Sequence, residues 1–131
     1  LGGIKMGREV VVENDKVYTS YYSVVDKYVL KGRQVSISVS SPKGFRGIRY
    51  TKLMPSVELL RDYKGGRVDK NEYIKRYYCE TLNKLNPSEV YNELKGKVLL
   101  CWEKKGEFCH RAIVLYWLKE ALGDLVIGGE L

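Results

Sequence analysis

The residues best suited to chemistry lie in one stretch of the chain, residues 101–111, between two apolar segments. Cys109, His110 and Arg111 follow one another there, and Glu103 lies shortly before them. The stretch holds the only histidine of the chain and two of its three cysteines. A thiol, an imidazole, a carboxyl and a guanidinium are groups that enzymes use for nucleophilic attack, proton transfer and anion binding. This stretch is therefore the first place to look for a functional site.

Cys109 is predicted to lie at the N-terminus of a helix, and three interpretations of it stay open. There, the helix dipole with His110 and Arg111 would lower the pKa of the thiol, giving a nucleophile or a redox group. A buried structural thiol packed beside Phe108 is the more common case. A metal ligand is the third interpretation, but the spacing of Cys101, Cys109 and His110 matches no closed zinc site. No metal and no cofactor is predicted.

His110 is a candidate acid or base, with Glu103 or Glu107 orienting its ring. An equally good interpretation is that its ring nitrogens tie the loop to the neighbouring strand. Glu103 has a structural alternative as well, an ion pair with Lys104 or Arg111 that braces the loop. The candidate catalytic residues are Cys109, His110 and Glu103.

The segments around this stretch indicate how it is positioned. Residues 98–101 form a short apolar run, which is typical of a strand buried on both faces. Residues 112–118 are all apolar or aromatic, which predicts a helix buried nearly all round. Residues 34–40 alternate between polar and apolar side chains and predict a further strand. A strand, a charged loop and a helix thus hold the candidate residues.

Start and stop signals predict the other helices. Pro55 opens a helix that Gly65 ends, Asp69 begins a capping box, and Asn86 caps a third helix. Apolar spacing favours one more helix over residues 24–30. These helices lie between the predicted strands.

The order of the segments predicts the fold class. Residues 9–20 indicate a β-hairpin, and residues 124–127 indicate an edge strand. The alternation of strands and helices predicts a single three-layer α/β domain, with a mixed, largely parallel sheet of about 4–5 strands flanked by helices. We expect the domain to span residues 8–131, after a loose tail over residues 1–7.

Composition restricts the class of protein. With 131 residues, 44% hydrophobic and 30% charged, the chain is typical of one globular domain. No stretch reaches the ~20 apolar residues of a membrane span, so no membrane association is expected. The number of cysteines is odd, which predicts free thiols rather than disulfides. The first residues are too polar for a signal peptide, which predicts a cytoplasmic location. A tyrosine-rich, glutamine-poor composition hints at a thermophilic source.

Charge favours an acidic ligand. The net charge is +7 and the pI about 9.3, which suits a nucleotide or nucleic acid, although a lysine-rich solvated surface is the simpler interpretation. Residues 43–52 combine basic and aromatic side chains. Such side chains can bind single-stranded nucleic acid or a nucleotide base, but ordinary solvated loops have the same composition.

A ligand of an open α/β sheet binds beyond the carboxyl ends of its strands. If the predicted strands are neighbours, the loops after them share one rim, and the helix after Cys109 points its N-terminus there. The predicted function is binding of a phosphate-bearing small molecule or nucleic acid. The alternatives are a small hydrolase or transferase that uses Cys109 or His110, and a non-catalytic regulatory or partner-binding module. The predicted ligand-binding residues are Arg111, Lys104, Ser20, Ser41, Lys43, Arg46 and Tyr50; no oligomeric state is predicted.

The central stretch also resembles a known family. Residues 99–104 read Leu-Leu-Cys-Trp-Glu-Lys, and Cys-His-Arg opens an apolar helix at residues 109–111. This pattern resembles the family catalogued as domain of unknown function 488 (DUF488), and the similarity spans most of residues 16–122. The resemblance implies a compact intracellular α/β domain from a bacterium or an archaeon, and no particular reaction. It maps the presumed family site onto Glu103, Lys104, Cys109, His110 and Arg111.

Overall fold

The computed structural model describes residues 12–25 and 31–131. The strands in these residues are β1 Val17–Tyr21, β2 Gln34–Ser36, β3 Ile48–Arg49, β4 Val98–Cys101 and β5 Ile127–Glu130. They form one sheet in the order β3-β2-β4-β1-β5. Every strand pairing within the described residues is parallel.

The α-helices of the same residues are α1 Tyr22–Val25, α2 Val57–Lys64, α3 Lys70–Glu80, α4 Pro87–Leu94 and α5 His110–Leu122. Single 3₁₀ turns lie at Lys31–Arg33, Thr51–Leu53, Leu82–Lys84 and Asp124–Val126. The predicted α/β class, with a sheet of about 4–5 strands flanked by helices, is confirmed, and in the described residues this sheet is parallel rather than mixed. None of the helices in the described part of the chain has the length and apolarity that crossing a membrane requires.

The hairpin predicted over residues 9–20 is wrong. β1 has β4 on one side and β5 on the other, so both of its edges are taken by parallel partners. The expected turn at Asn14 and Asp15 is present. The expected tail and the first strand of the hairpin lie wholly or mainly in residues 1–11, outside the described residues, as does most of the helix expected over 24–30. The domain limits therefore stay a prediction.

Local capping explains where α2, α3 and α4 begin. Ser56 rather than Pro55 marks the start of α2, because its side-chain oxygen accepts a backbone N–H of the first turn. Asp69 and Glu72 form the predicted capping box of α3. Asn86 caps α4 as predicted, with a proline at the first helical position.

Side chains alternate across the sheet and build two apolar clusters. Val17, Leu99 and Cys101 belong to the larger cluster, together with residues of α2 to α5. Tyr18 and Leu100 belong to the smaller cluster on the other face. β4 is therefore buried on both faces, as its continuous apolar run predicted.

Several of the predicted site residues lie at the carboxyl edge of the sheet. β2, β4 and β1 are parallel neighbours, so the loops that follow them lie along this edge, as predicted. The indole Nε1 of Trp102 donates to the carbonyl oxygen of Ser40 at 3.1 Å and joins the loop after β4 to the loop after β2. α5 begins at the same edge, directly after the loop that leaves β4.

Candidate functional site

Cys109 is the N-cap residue of α5, and its Sγ is the centre of the candidate site. Hydrogen bonding from the Cys101 thiol, followed by the His110 ring, lowers the pKa of the Cys109 thiol. Burial opposes this effect, since the residue is only 4% exposed, but the hydrogen bonds prevail. The thiolate is thus favoured. It occupies the helix N-terminus, where the sequence led us to expect an external anion.

Cys101 is the partner that the sequence singled out only as a potential metal ligand. It is the last residue of β4 and is fully buried. Burial and the neighbouring Cys109 raise the pKa of the Cys101 thiol well above its ordinary value. Cys101 therefore keeps its proton and donates a hydrogen bond to the Cys109 thiolate. The two cysteines have the same chemistry in the sequence and opposite protonation in the fold.

His110 is held by the strand side of the site. Its Nε2 lies 2.7 Å from the carbonyl oxygen of Ile37 and donates to it. Its Nδ1 lies 3.8 Å from the sulfurs of both Cys101 and Cys109. A backbone carbonyl, rather than either of the glutamates expected from the sequence, orients the ring. The ring thus ties the helix start to the segment after β2 and also faces the thiols.

A metal at this cluster is the obvious alternative, because the sulfurs of Cys101 and Cys109 and a ring nitrogen of His110 lie within 4.8 Å of one another. The sulfur of Cys101 lies 3.8 Å from Nδ1 and 3.7 Å from Nε2. A sulfur nearly equidistant from both nitrogens lies away from the direction in which either nitrogen would bind a metal. Nε2 already donates a hydrogen bond to the carbonyl oxygen of Ile37. This arrangement suits a thiol–thiolate–imidazole cluster better than a metal centre, and the prediction of no metal stays a prediction.

Glu103 lies in the loop after β4 and approaches the same sulfur. Burial and then a hydrogen bond with Cys109 raise the pKa of its carboxyl group. A carboxyl group that holds its proton beyond the ordinary range can act as a general acid. The structure thus brings Cys109, His110 and Glu103, the candidate catalytic residues, to one place.

A cavity of about 160 Å³ leads to these three residues. Aromatic side chains form much of its wall, namely Tyr63, Tyr73, Trp102 and Phe108. The rings of Tyr63, Tyr73 and Phe108 contact one another in pairs, with centroids 5.3 Å apart. Sequence analysis missed this wall, because its members come from α2, α3 and two ends of one loop. Only the tyrosine-rich composition hinted at it.

Arg111 is 3% exposed and has a partner within the protein. Its Nε and Nη2 donate to the two carboxylate oxygens of Glu130 at 3.1 and 3.0 Å. Burial disfavours the charge, but the hydrogen bonds to Glu130 outweigh it and raise the pKa of Arg111. Nη1 has no hydrogen-bond partner among the described residues. The guanidinium predicted to bind an external anion therefore holds an internal carboxylate, which sequence analysis did not foresee.

The family is decided by comparison with known families. The model DUF488-N3a, described as the active DUF488-N3 subclade, matches residues 21–122. This chain belongs to the DUF488 family. The matched part includes Glu103 and the Cys-His-Arg segment and ends before Glu130. The comparisons with curated proteins and with solved structures gave no match.

The remaining predicted ligand residues of this DUF488 domain lie in different surroundings. Lys104 is exposed, and its backbone N–H donates to Glu107 at 3.0 Å. Ser20 is buried in β1, and its hydroxyl has no hydrogen-bond partner in the described part of the chain. Ser41 accepts a hydrogen bond from Arg49 at 2.7 Å.

The basic loop of this DUF488 domain lies at a different cavity. Lys43 and Arg46 line a space of about 350 Å³ together with Tyr22 and Phe45. Tyr50 lies elsewhere on the surface, where its hydroxyl donates to the carboxylate of Glu93 on α4. The structure does not bring these three predicted residues to Cys109. Their role as ligand contacts stays a prediction.

Proposed function

We propose that this DUF488 protein is a thiol-dependent enzyme, a hydrolase or transferase, in which Cys109 attacks an electrophilic carbon of a small substrate. One observation carries the proposal: a sulfur with a lowered pKa faces a cavity, surrounded by hydrogen-bond donors. A thiolate held at a helix N-terminus is a strong nucleophile when a substrate can reach it. The description of the matched subclade as active agrees with an enzyme.

The proposed reaction has two halves. The Cys109 thiolate forms a bond to the substrate carbon while the bond to the leaving group breaks, and Glu103 transfers its proton to that group. Water or a second substrate then attacks the same carbon, and the Glu103 carboxylate takes up the proton of the attacking group. Cys109 leaves as the thiolate, so both residues return to their starting states.

Cys101 and His110 support the nucleophile without bonding to the substrate. The protonated Cys101 thiol and the His110 ring, which in this scheme carries a proton on Nδ1 as well as on Nε2, both face the Cys109 sulfur and stabilise its negative charge. The hydrogen bond from His110 Nε2 to Ile37 keeps Nδ1 on the side of the thiols. They are positioning residues in this scheme.

The geometry favours this enzyme over the phosphate-binding cleft expected first. Glu130 already pairs with the Arg111 guanidinium, and the Cys109 side chain itself lies at the N-terminus of α5, where an external anion was expected. A purely structural cysteine would need neither a lowered pKa nor a cavity beside it. The family match agrees with an enzyme but names no substrate.

Alkylation of Cys109 by iodoacetamide tests the proposal. The experiment uses Cys79→Ser protein, because Cys79 is exposed, and includes a chelator so that no metal protects the thiols. We expect the label on Cys109 and not on Cys101, by peptide mass spectrometry. The rate should be nearly constant between about pH 6 and 8, because the thiolate is already formed, whereas an ordinary thiol reacts roughly tenfold faster per pH unit in this range.

Two variants and two outcomes make this experiment decisive. Cys109→Ser should abolish labelling, and His110→Ala should restore a pH-dependent rate because one stabilising group is lost. A rate that rises steeply with pH in the parent protein would contradict the proposal. Cysteines that react only after unfolding would contradict it as well.

A further inference from the structure

The cavity beside Cys109 has a feature that the chemistry of a thiol does not require. Trp102 lines it and is 49% exposed, although large aromatic side chains usually bury most of their surface. Its indole is not loose, because Nε1 donates to the carbonyl oxygen and to the hydroxyl of Ser40 at 3.1 and 3.2 Å. Its ring also contacts Tyr22 edge to face, with centroids 4.8 Å apart. An aromatic face is thus fixed in place and left exposed.

The wall formed by Tyr63, Tyr73 and Phe108 adds three further rings to the cavity. Flat aromatic faces bind flat ligands. A nucleobase stacks favourably on such a face whatever its sequence identity, because every base has a π-face. The volume of about 160 Å³ is near half the lower limit of about 300 Å³ for pockets that hold drug-sized ligands. The cavity therefore suits a single planar ring system.

Polar groups at the same cavity distinguish a heteroaromatic ring from a hydrocarbon ring. Glu103 and Ser40 line the cavity, and each has oxygen atoms that can exchange hydrogen bonds with the edge of a ring. Lys64, which is exposed, lines it as well and adds a positive charge that suits a phosphate. The Ser40 hydroxyl accepts a hydrogen bond from Trp102 and can still donate one, and a hydrocarbon ring could neither accept from it nor pair with the Glu103 carboxyl group.

We infer that this cavity binds the nucleobase of a nucleoside or nucleotide, stacked on Trp102, with the polar edge of the base toward Glu103 and Ser40. The inference deepens the proposed function by naming its substrate class, and it rests on that function for the role of Cys109. The base anchors the substrate, and the bond that breaks lies on the side of the sulfur. Binding itself does not need the thiol.

Fluorescence of Trp102 tests the inference directly. The chain has two tryptophans, and the other, Trp117, is buried in α5. The variant Trp117→Phe, checked for its fold by circular dichroism, leaves Trp102 as the single reporter. Adenosine, guanosine, cytidine and uridine are titrated in turn, with ribose 5-phosphate, inorganic phosphate and benzoate as comparison ligands. We expect saturable quenching by at least one nucleoside, and weaker or no quenching by the comparison ligands.

Calorimetry compares the matched variants, which are made in protein that keeps Trp117. Trp102→Ala should weaken nucleoside binding by roughly 5-fold to 150-fold, the range for loss of one base–aromatic stack, whereas Trp102→Phe should keep most of the affinity. Unchanged nucleoside affinity in a folded Trp102→Ala variant would overturn the inference, and if that variant fails to fold, the fluorescence titration of Trp102 decides the matter.

The outcomes separate this inference from the proposed function. Absence of quenching by all four nucleosides would overturn the inference, and so would quenching by benzoate as strong as that by any nucleoside. Cys109 could still be alkylated in the expected way in both cases, and the thiol enzyme would then act on another substrate. Nucleoside binding with an unreactive Cys109 would instead leave a binding site without the proposed reaction.

Discussion

At the scale of single residues, the pair of Arg111 and Glu130 shows how a buried charge constrains the site. The arginine is 3% exposed, and the glutamate side chain is 24% exposed. A buried charge whose partner is removed stays desolvated without compensation, so breaking such a pair from one side is strongly destabilising. Because Arg111 follows Cys109 and His110 directly, the pair also anchors the start of α5.

We predict that Glu130→Gln lowers the free energy of unfolding by about 3 kcal/mol, because the Arg111 charge loses its carboxylate partner. Urea unfolding followed by circular dichroism measures it. The control is Asp124→Asn, which breaks the exposed pair with Lys119 and should change stability by less than about 0.5 kcal/mol. Equal effects of the two substitutions would show that burial does not strengthen the Arg111–Glu130 pair.

At the scale of elements, α3 contributes one wall of the candidate site. Tyr73 from this helix lines the cavity, and Tyr77 donates its hydroxyl hydrogen to the carbonyl oxygen of Leu53 at 2.6 Å. The helix begins at the capping box of Asp69 and Glu72, which satisfies two backbone N–H groups. The position of the aromatic wall thus depends on a cap at the helix start.

We predict that Asp69→Ala lowers the free energy of unfolding by about 1 kcal/mol, since the N-cap acceptor is lost. Asp69→Ser should retain most of the stability, because a serine oxygen can accept the same N–H. Urea unfolding of both variants provides the comparison. An alanine variant as stable as the serine variant would mean that the cap does not hold α3.

At the scale of the whole molecule, the sheet joins distant parts of the chain. β5 pairs with β1, and the Thr19 hydroxyl donates to the Glu130 carboxylate across that pairing. Gly128 in β5 lies against the ring of Tyr18, so closely that a Cβ atom at this position would overlap the ring. Tyr18 is itself buried and its hydroxyl accepts a hydrogen bond from the backbone of Glu13. The ring therefore has little room to move.

We predict that Gly128→Ala lowers the free energy of unfolding by about 1–3 kcal/mol, because the added methyl group forces β5 away from β1 or displaces Tyr18. Gly32→Ala is the control, since no described atom lies within 4 Å of its Cβ position. That control should stay within about 0.5 kcal/mol of the parent protein. Thermal or urea unfolding measures both, and similar losses for the two variants would refute the packing argument.

The local features of this protein could be predicted from its sequence. Periodicity and capping rules describe features that depend on neighbouring residues. Such features are the buried run of β4, the caps at Asp69 and Asn86, and the helix that starts after Cys109. The α/β class follows from the order of these elements. The Cys-His-Arg segment was also recognisable as the centre of a site, because its residue types are rare in this chain.

Tertiary structure alone decided what surrounds that segment. The partners of His110 and Arg111 are Ile37 and Glu130, and β5 rather than a hairpin strand pairs with β1. The protonation of Cys101 and Cys109 and the aromatic wall depend likewise on side chains distant in sequence. Such contacts arise from strand order and packing, and no local pattern encodes the distance between residues from separate elements. The chemistry of the residues is local, whereas their reactivity is a property of the fold.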